Sequence, residues 1–134
     1  RARYAADAQV TGALYGKILR SPHAHARIRS INTSKAEALP GVKAVVTSAD
    51  LPELSNNIGD QTAGAMVNYG FFTRNILAVE KALYKGHAIA AVAATSVHIA
   101  EEALSLIEVD YEVLKPVLND SEATAAGAPV LHEG

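Results

Sequence analysis

The stretch that decides the fold is LYGKILRSPHAHARIRSINTSKAEALPGVKAVVTSADLP, residues 14–52, in which strand patterns surround one short helix. Residues 14–19 are a short β-prone run, and residues 24–30 alternate between apolar and polar side chains, which is typical of a strand with one buried face. Between these runs Ser21-Pro22 predicts a break, because proline cannot donate to a sheet ladder. The expected inner face of the second strand is Ala24, Ala26 and Ile28, and the outer face is His25, Arg27 and Arg29.

The helix within this stretch is predicted from its ends. Ser34 and Glu37 have the spacing of a capping box, in which the hydroxyl and the carboxylate satisfy free backbone N–H groups reciprocally. Pro40-Gly41 ends the helix after about one turn. Residues 42–47 then predict a third strand.

Residues 53–75 contain Asn, Gly, Thr and Gln with isolated apolar residues. We predict a long loop here, and a loop of this length in a compact domain is usually functional, disordered or packed on something outside the domain. Because its few apolar residues cannot offset the entropy of ordering it, we also predict that this is the mobile part of the chain. Met66, Tyr69, Phe71 and Phe72 are expected to pack on a neighbouring domain in a larger protein.

The second half of the chain has three further patterns. Residues 88–95, AIAAVAAT, predict a strand buried on both faces, although the alanines would also suit a helix. Ser96 is the predicted N-cap of a helix with the apolar stripe Ile99, Ala100, Ala103 and Leu104. Residues 107–113 alternate again and predict a strand with an acidic outer face. The fold class we predict is α+β, with mixed β-sheets and two short helices in a sandwich-like domain.

Composition excludes several classes of protein. The net charge of −2 gives no reason to expect nucleic acid or an anionic membrane as partner, and no apolar run approaches the length that a bilayer requires. With no Cys, the chain has no disulfide framework, and it alone cannot hold an iron–sulfur cluster or a thiolate zinc site. The start, Arg1-Ala2-Arg3, has neither Met nor a targeting signature, so we expect a fragment of a longer, cytoplasmic protein.

Histidines are the candidate functional residues. His23 and His25 would share one strand face, which is a possible start for a metal site, but the favoured interpretation is a solvated or partner-facing basic edge with Arg27 and Arg29. His98 and Glu102 have the i, i+4 spacing of some metal ligands, and again a surface helix pair is favoured.

Gly86-His87 stands where a strand pattern at residues 82–84 turns into the buried run. Glycine permits close backbone approach, and an imidazole at such a corner can contact a ligand or simply belong to the turn. Lys85 before this glycine raises the alternative of a biotin or lipoate carrier, but its neighbours do not resemble the Met-Lys-Met hairpin of those domains. Neither dinucleotide-binding nor phosphate-loop glycine motifs occur.

A series of short runs, taken in order, resembles the α/β hammerhead domain of the aldehyde oxidase/xanthine dehydrogenase family of molybdenum hydroxylases. The runs are ARYAAD (2–7), GALYGKILRSPHAHARI (12–28), INTSKA (31–36), LPGV (39–42), VVT (45–47), DLP (50–52), AAVAA (90–94), AEEAL (100–104) and IEVDYE (107–112). Where relatives commonly have Tyr-Val-Gly, then Glu or Gln, then Pro-Val-Ala, this chain has YKGHAIA at residues 84–90. The substrate therefore stays open.

The resemblance implies a hammerhead domain at residues 1–120, with residues 121–134 starting a linker to a molybdopterin-binding region. It implies a parent large subunit that hydroxylates an aldehyde, an N-heterocycle or a related substrate with oxygen from water. The family uses a molybdopterin, often its cytosine dinucleotide form in bacteria, with iron–sulfur clusters and FAD on other domains or subunits.

The family's catalytic residues lie beyond this domain, so we expect no catalytic, cofactor-binding or metal residues here and only Gly86 and His87 as candidates for the substrate funnel. The alternative is a free-standing binding or scaffold module with the same fold.

Overall fold

The computed structural model describes residue 4 and residues 10–52, 58–61, 65–68 and 74–131, with only the backbone for 58–61 and 65–68. The elements, in chain order, are β1 Tyr15–Arg20, β2 Ala26–Asn32, α1 Ser34–Glu37, β3 Val42–Thr47, a 3-10 turn Ser48–Asp50, β4 Ile58–Gln61, β5 Ala65–Asn68, β6 Lys81–Ala82, β7 Ala88–Ala94, α2 Val97–Leu106, β8 Glu108–Val113 and α3 Asp120–Ala123.

The strands form two small sheets and one hairpin. Sheet A has the order β1-β7-β3, sheet B has the order β6-β2-β8, and β4 pairs with β5. The predicted α+β class is confirmed, with the refinement that the strand pairs in the described residues are antiparallel rather than mixed in direction. The longest described helix has 10 residues, and no helix in this part of the chain has the length and hydropathy to cross a bilayer.

Small side chains form the core between sheet A and the helices. Ala90, Val92 and Ala94 project from the inner face of β7, and Ala100 and Ala103 from the facing side of α2, and all are buried. The predicted strand at residues 88–95 is thus present as β7, but the prediction that both its faces are buried is wrong, because Ala91 and Ala93 on the other face are only half-buried. The predicted helix is confirmed, and the Ser96 hydroxyl oxygen accepts a hydrogen bond from the backbone N–H of Ile99. Because alanine adds little bulk, this helix and strand can approach closely, which maximises dispersion contacts at short range.

Sheet B continues this core and presents a charged outer face. Its inner face packs around Ile89, which is fully buried at a bulge in the pairing of β7 with β1. On the outer face, Arg27 and Arg29 lie 3.8 Å and 3.4 Å from the carboxylate of Glu112, and Lys35 pairs with Glu108. The predicted acidic face of β8 is thus confirmed, and the basic residues of β2 and α1 largely offset its charge.

The turn after α1 depends on Pro40-Gly41. The backbone N–H of Val42 donates to the carbonyl oxygen of Leu39 at 3.1 Å, and Gly41 has a φ of 98°. Pro at the second and Gly at the third position are the residues that a type II turn favours. A Cβ atom on Gly41 would lie 2.7 Å from Cδ1 of Ile99 and 2.9 Å from Oγ1 of Thr95. The glycine therefore permits both the turn and the close approach of α2.

The predicted capping box at Ser34 is wrong, because the helix begins at Ser34 and its N-cap residue makes no side-chain bond to the helix backbone. The N-cap is Thr33, whose hydroxyl donates to Glu37 at 2.6 Å, while the backbone N–H of Ser34 donates to the side-chain oxygen of Asn32. A capping box does form elsewhere, between Thr47 and Asp50 at the 3-10 turn.

The predicted long loop at residues 53–75 is also corrected in part. Residues 58–61 and 65–68 form an antiparallel pair of strands, with Ile58 opposite Asn68 and Gln61 opposite Ala65. The polar composition concealed two four-residue strands that are short enough to lack a clear alternation. Tyr69, Phe71 and Phe72 lie outside the described residues, and the mobility of the segment stays a prediction.

A surface ion pair joins the first strand to the longest described helix. Lys17 Nζ lies 2.7 Å from Oε1 of Glu101. The hydrogen bond and the positive charge of Lys17 hold the pKa of the Glu101 carboxyl below its usual value. The pair shows that the face of β1 that carries Lys17 is turned toward α2. We call this face the inner face of β1.

We expect Gly41→Ala to destabilise the protein more than Gly86→Ala does. Both glycines have positive φ in hydrogen-bonded turns, so both changes strain the backbone, but a Cβ at position 86 meets nothing within 4 Å. Gly41→Ala should therefore lower the free energy of unfolding by about 2 kcal/mol more, the usual cost of overpacking. Urea denaturation of the two variants measures the difference. Equal losses would show that the helix moves aside freely.

Candidate functional site

The chain passes from sheet A to sheet B through residues 21–25, and we call this segment the crossover. Its first residue, Ser21, is 3% exposed. Both the backbone N–H and the backbone carbonyl of Ser21 are hydrogen-bonded to the turn at residues 84–87. The Ser21 N–H donates to the His87 carbonyl at 2.8 Å, and the Gly86 N–H donates to the Ser21 carbonyl at 2.9 Å. The Ser21 hydroxyl donates to the carbonyl of His23 and accepts from its N–H. The serine thus fixes the direction in which the chain leaves sheet A.

The turn at residues 84–87 is the corner that the sequence marks with Gly86-His87. The His87 N–H donates to the Tyr84 carbonyl at 3.1 Å, and Gly86 has a φ of 89°, which an L side chain rarely adopts. Arg20 donates from Nη1 to the Gly86 carbonyl at 2.9 Å. The glycine is therefore required by the turn itself, and its carbonyl is bound by the last residue of β1.

The imidazole of His87 is enclosed within this corner. It is 0% exposed, and the Leu83 N–H donates to Nδ1 at 3.2 Å, so the ring proton is on Nε2. Tyr84 stacks on the ring with centroids 4.5 Å apart and is itself 52% exposed. His87 does not face water, because Tyr84 rather than the imidazole forms the surface of the corner.

His25 anchors the other end of the crossover. It is 5% exposed, and its Nδ1 donates to the carbonyl oxygen of Lys115 at 2.9 Å, while its own carbonyl accepts from Leu114 N–H. A carbonyl can only accept, so Nδ1 carries a proton. Among the described residues, Nε2 of His25 has no hydrogen-bond partner. Burial of this atom costs stability that the Lys115 contact offsets.

His23 lies between these anchors and contacts sheet B. Its ring meets Tyr111 edge-on, with centroids 5.1 Å apart. Burial raises the pKa of Tyr111, and a hydrogen bond with the Ser21 side chain partly opposes that rise. The edge-on contact between His23 and Tyr111 therefore joins the crossover to the strand on which it rests.

The predicted basic edge of His23, His25, Arg27 and Arg29 is wrong for His25, which is buried, while His23 is half-buried. The strand begins at Ala26, so the alternation of a strand does not apply to residues 23–25, and the Lys115 carbonyl draws His25 inward. No group of three His, Asp or Glu residues that could hold a metal occurs in the described part of the chain. His98 and Glu102 are both exposed on α2, as expected for a surface pair.

The chemistry available here is positioning rather than proton transfer. The Ser21 hydroxyl and Nδ1 of both buried histidines are engaged by the chain's own backbone, so they hold turns together. Ser21, Tyr84 and Tyr111 are the contributors that sequence reasoning overlooked. Of these, only Ser21 carried a usable signal, because a Ser-Pro dipeptide favours turns in which the hydroxyl binds nearby backbone.

Comparisons with known proteins place this geometry in context. A family model described as "Aldehyde oxidase and xanthine dehydrogenase, a/b hammerhead domain" matches residues 1–115. The carbon monoxide dehydrogenase large chain of Afipia carboxidovorans is 41% identical over 99% of this chain and 16% of its own length. The probable hypoxanthine oxidase XdhD of Escherichia coli O157:H7 is 45% identical over 97% of this chain and 13% of its own.

A solved structure agrees with the sequence matches. Quinoline 2-oxidoreductase from Pseudomonas putida 86 superposes with a TM-score of 0.75 at 40% identity, over 94% of this chain and 16% of that one. The chain thus spans about one sixth or less of the length of these proteins.

We expect His25→Ala to lower the free energy of unfolding by about 2–4 kcal/mol, because it leaves a cavity and removes the donor to the Lys115 carbonyl. The matched control is His98→Ala on the exposed side of α2, which should change stability by less than about 0.5 kcal/mol. Chemical denaturation measures both. A neutral His25→Ala would show that the crossover is not anchored through this ring.

Proposed function

Because this chain belongs to the a/b hammerhead domain family of aldehyde oxidase and xanthine dehydrogenase, we propose that it forms part of the large subunit of a cytoplasmic oxidoreductase. The parent would hydroxylate an aldehyde, an N-heterocycle or a related substrate with water as the source of oxygen. In it, this domain is a structural part near the substrate funnel and contributes no catalytic residue.

The observation that carries this proposal is the match over nearly the whole chain to proteins named for different substrates. Their printed names refer to carbon monoxide, hypoxanthine and quinoline, yet each contains a segment at 40–45% identity to this chain. A domain found in proteins named for such different substrates is expected to have a structural role, since function depends on the site rather than on the fold. The internally bonded crossover supports the same interpretation.

The cofactor of the proposed parent is a molybdopterin, in its cytosine dinucleotide form, with iron–sulfur clusters and FAD on other domains or subunits. A molybdopterin supplies the two-electron redox centre of such enzymes when bound. The buried polar side chains of the crossover do not fit it, because Ser21 and His25 are bound to the chain's own backbone. We therefore assign no step of the reaction to this chain.

Within the parent, we propose that the hammerhead domain is residues 1–120 and that residues 121–134 begin the connection to the molybdopterin-binding region. Residues 114–119 run outside the sheets after β8, and the one-turn helix α3 is capped by Asn119, whose side chain accepts from the Glu122 N–H at 2.8 Å. Beyond it the chain is rich in Ala, Gly and Pro, a composition typical of connecting segments.

We place the Gly86-His87 corner nearest the funnel. Tyr84, Lys85 and the backbone of Gly86 form its surface, and the buried His87 ring supports Tyr84 from below. His87 would therefore act as a positioning residue, whose effect on a bound substrate passes through the Tyr84 ring.

We expect the purified 134-residue chain to fold and to contain no molybdenum, iron or flavin, because its described side chains offer no assembled ligand set. Elemental analysis and absorption spectra of the purified chain provide the measurement. Stoichiometric molybdenum on the chain would contradict the proposed division of roles. If the reading frame that encodes the chain lacks a long molybdopterin-binding region, the proposal that the chain is part of an enzyme fails. The alternative, a free-standing binding or scaffold module with the same fold, then takes its place.

In the intact parent, we expect His87→Gln to shift the pH dependence of kcat/KM while the fold remains intact. Glutamine can accept the Leu83 N–H through its amide oxygen, but it neither titrates nor stacks on Tyr84 as a ring does. His98→Gln on α2 is the matched control and should leave the profile unchanged. An unchanged profile and substrate preference in His87→Gln would leave His87 as an ordinary turn residue.

A further inference from the structure

The outer face of sheet A is apolar and open. The inner face is identified by Lys17, which pairs with α2, and by Leu19, which packs into both core clusters. On β1 the residues that alternate with these are Gly16, Ile18 and Arg20, and they point the other way. Arg20 lies beyond the bulge and binds the Gly86 carbonyl, while Gly16 and Ile18 continue across the sheet with their paired neighbours. They form two rows across three strands, and we call them the open face: Gly16, Ala93 and Ala44 in one row, and Ile18, Ala91 and Val46 in the other.

The open face lacks the protection that sheet B has. Ile18 is 46% exposed, Gly16 and Ala44 are exposed, and none of the six residues has a polar side chain. The outer face of sheet B, in contrast, carries Arg27, Arg29 and Glu112 in mutual contact. One chain thus presents a charged outer face on sheet B and an apolar outer face of similar width on sheet A.

The size of the open face decides what covers it. With strands about 4.8 Å apart and same-face residues about 7 Å apart along a strand, two rows on three strands cover about 200 Å². A stable complex of separate proteins needs about 800 Å² from each partner. A second copy of the chain would therefore bind too weakly on this face alone. A segment of the same polypeptide needs far less area, because tethering makes its effective concentration of the order of millimolar.

We infer that the open face is an intramolecular docking surface for an uncharged, apolar helix or strand in the part of the large subunit that lies outside these 134 residues. The inference rests on the proposed function, and the relatives' length supports it, since matched segments make up only 13% to 16% of their chains. Glycine and alanine in one row permit a neighbouring backbone to approach closely, while Ile18 and Val46 offer larger side chains to pack between.

Thiol labelling tests the inference directly, because the chain contains no Cys and an introduced one is unique within it. Ala44→Cys places the thiol on the open face, and Ser30→Cys places it on the outer face of sheet B; both positions are exposed. Each variant is made in the 134-residue chain and in the full-length parent. Reaction with a maleimide is followed at the peptide containing the new cysteine by mass spectrometry.

In the 134-residue chain we expect the two thiols to react at rates within about threefold of each other. In the native parent, Cys at position 44 should react at least tenfold more slowly than Cys at position 30. Similar rates in the parent would overturn the inference. Protection of position 44 in the 134-residue chain that rises with concentration, together with a dimer in sedimentation, would also overturn it by showing that a second copy is the occupant.

The molybdenum content of the same parent preparation separates this inference from the proposed function. Molybdenum present with a reactive thiol at position 44 refutes the docking surface alone. Molybdenum absent with a protected thiol refutes the oxidoreductase assignment and leaves the docking surface supported.

Discussion

The close approach of α2 to β7 is the constraint on which the rest of the domain depends. Alanines on both elements permit a short distance between the helix and the sheet. Gly41 has no Cβ atom that would clash with the side chain of Ile99. A larger residue at any of these points would push the helix outward and separate it from Lys17 on β1. The low aromatic content of the chain is thus a consequence of the architecture, because bulky rings do not fit between layers this close.

The second requirement is that the two sheets keep a fixed relation, and hydrogen bonds at the crossover provide it together with the packing of sheet B around Ile89. Ser21 is bound to the turn at residues 84–87, and His25 is bound to the segment that follows β8. Both bonds involve backbone carbonyls, which impose direction more strictly than apolar contacts do. Buried polar groups that are well bonded specify one arrangement, whereas an apolar junction would tolerate several.

Much of the fold follows from periodicity in the sequence. The alternation at residues 107–113 and the apolar stripe of α2 identified a strand and a helix correctly, because each pattern extends over at least two turns or three side-chain pairs. The predicted capping box at Ser34 is wrong because Asn32, Thr33 and Ser34 can all precede a helix, and only the tertiary position of the chain selects where the helix begins. The strands β4 and β5 were missed because four residues are too few to establish a period.

The candidate site was harder to predict, since burial of a histidine depends on partners distant in sequence. Nothing in the run SPHAH indicates that His25 meets the carbonyl of Lys115, which lies far along the chain. Gly86-His87 was recognised as a corner from glycine alone, but the stacking of Tyr84 on His87 requires the turn geometry.

The strand pairing has a consequence for the order in which the protein is made. In sheet A, Tyr15 pairs with Ala94, and in sheet B, Asn32 pairs with Glu108, so both early strands wait for partners translated much later. During synthesis, a nascent chain that ends before β7 contains β1 and β3 without the central strand that joins them, and β2 without its partner β8. Such long-range pairing slows folding and exposes strand edges to other chains. A ribosome that stalls before Ala94 would therefore hold a chain more prone to aggregate than to fold, and chaperone demand should peak at that point in translation.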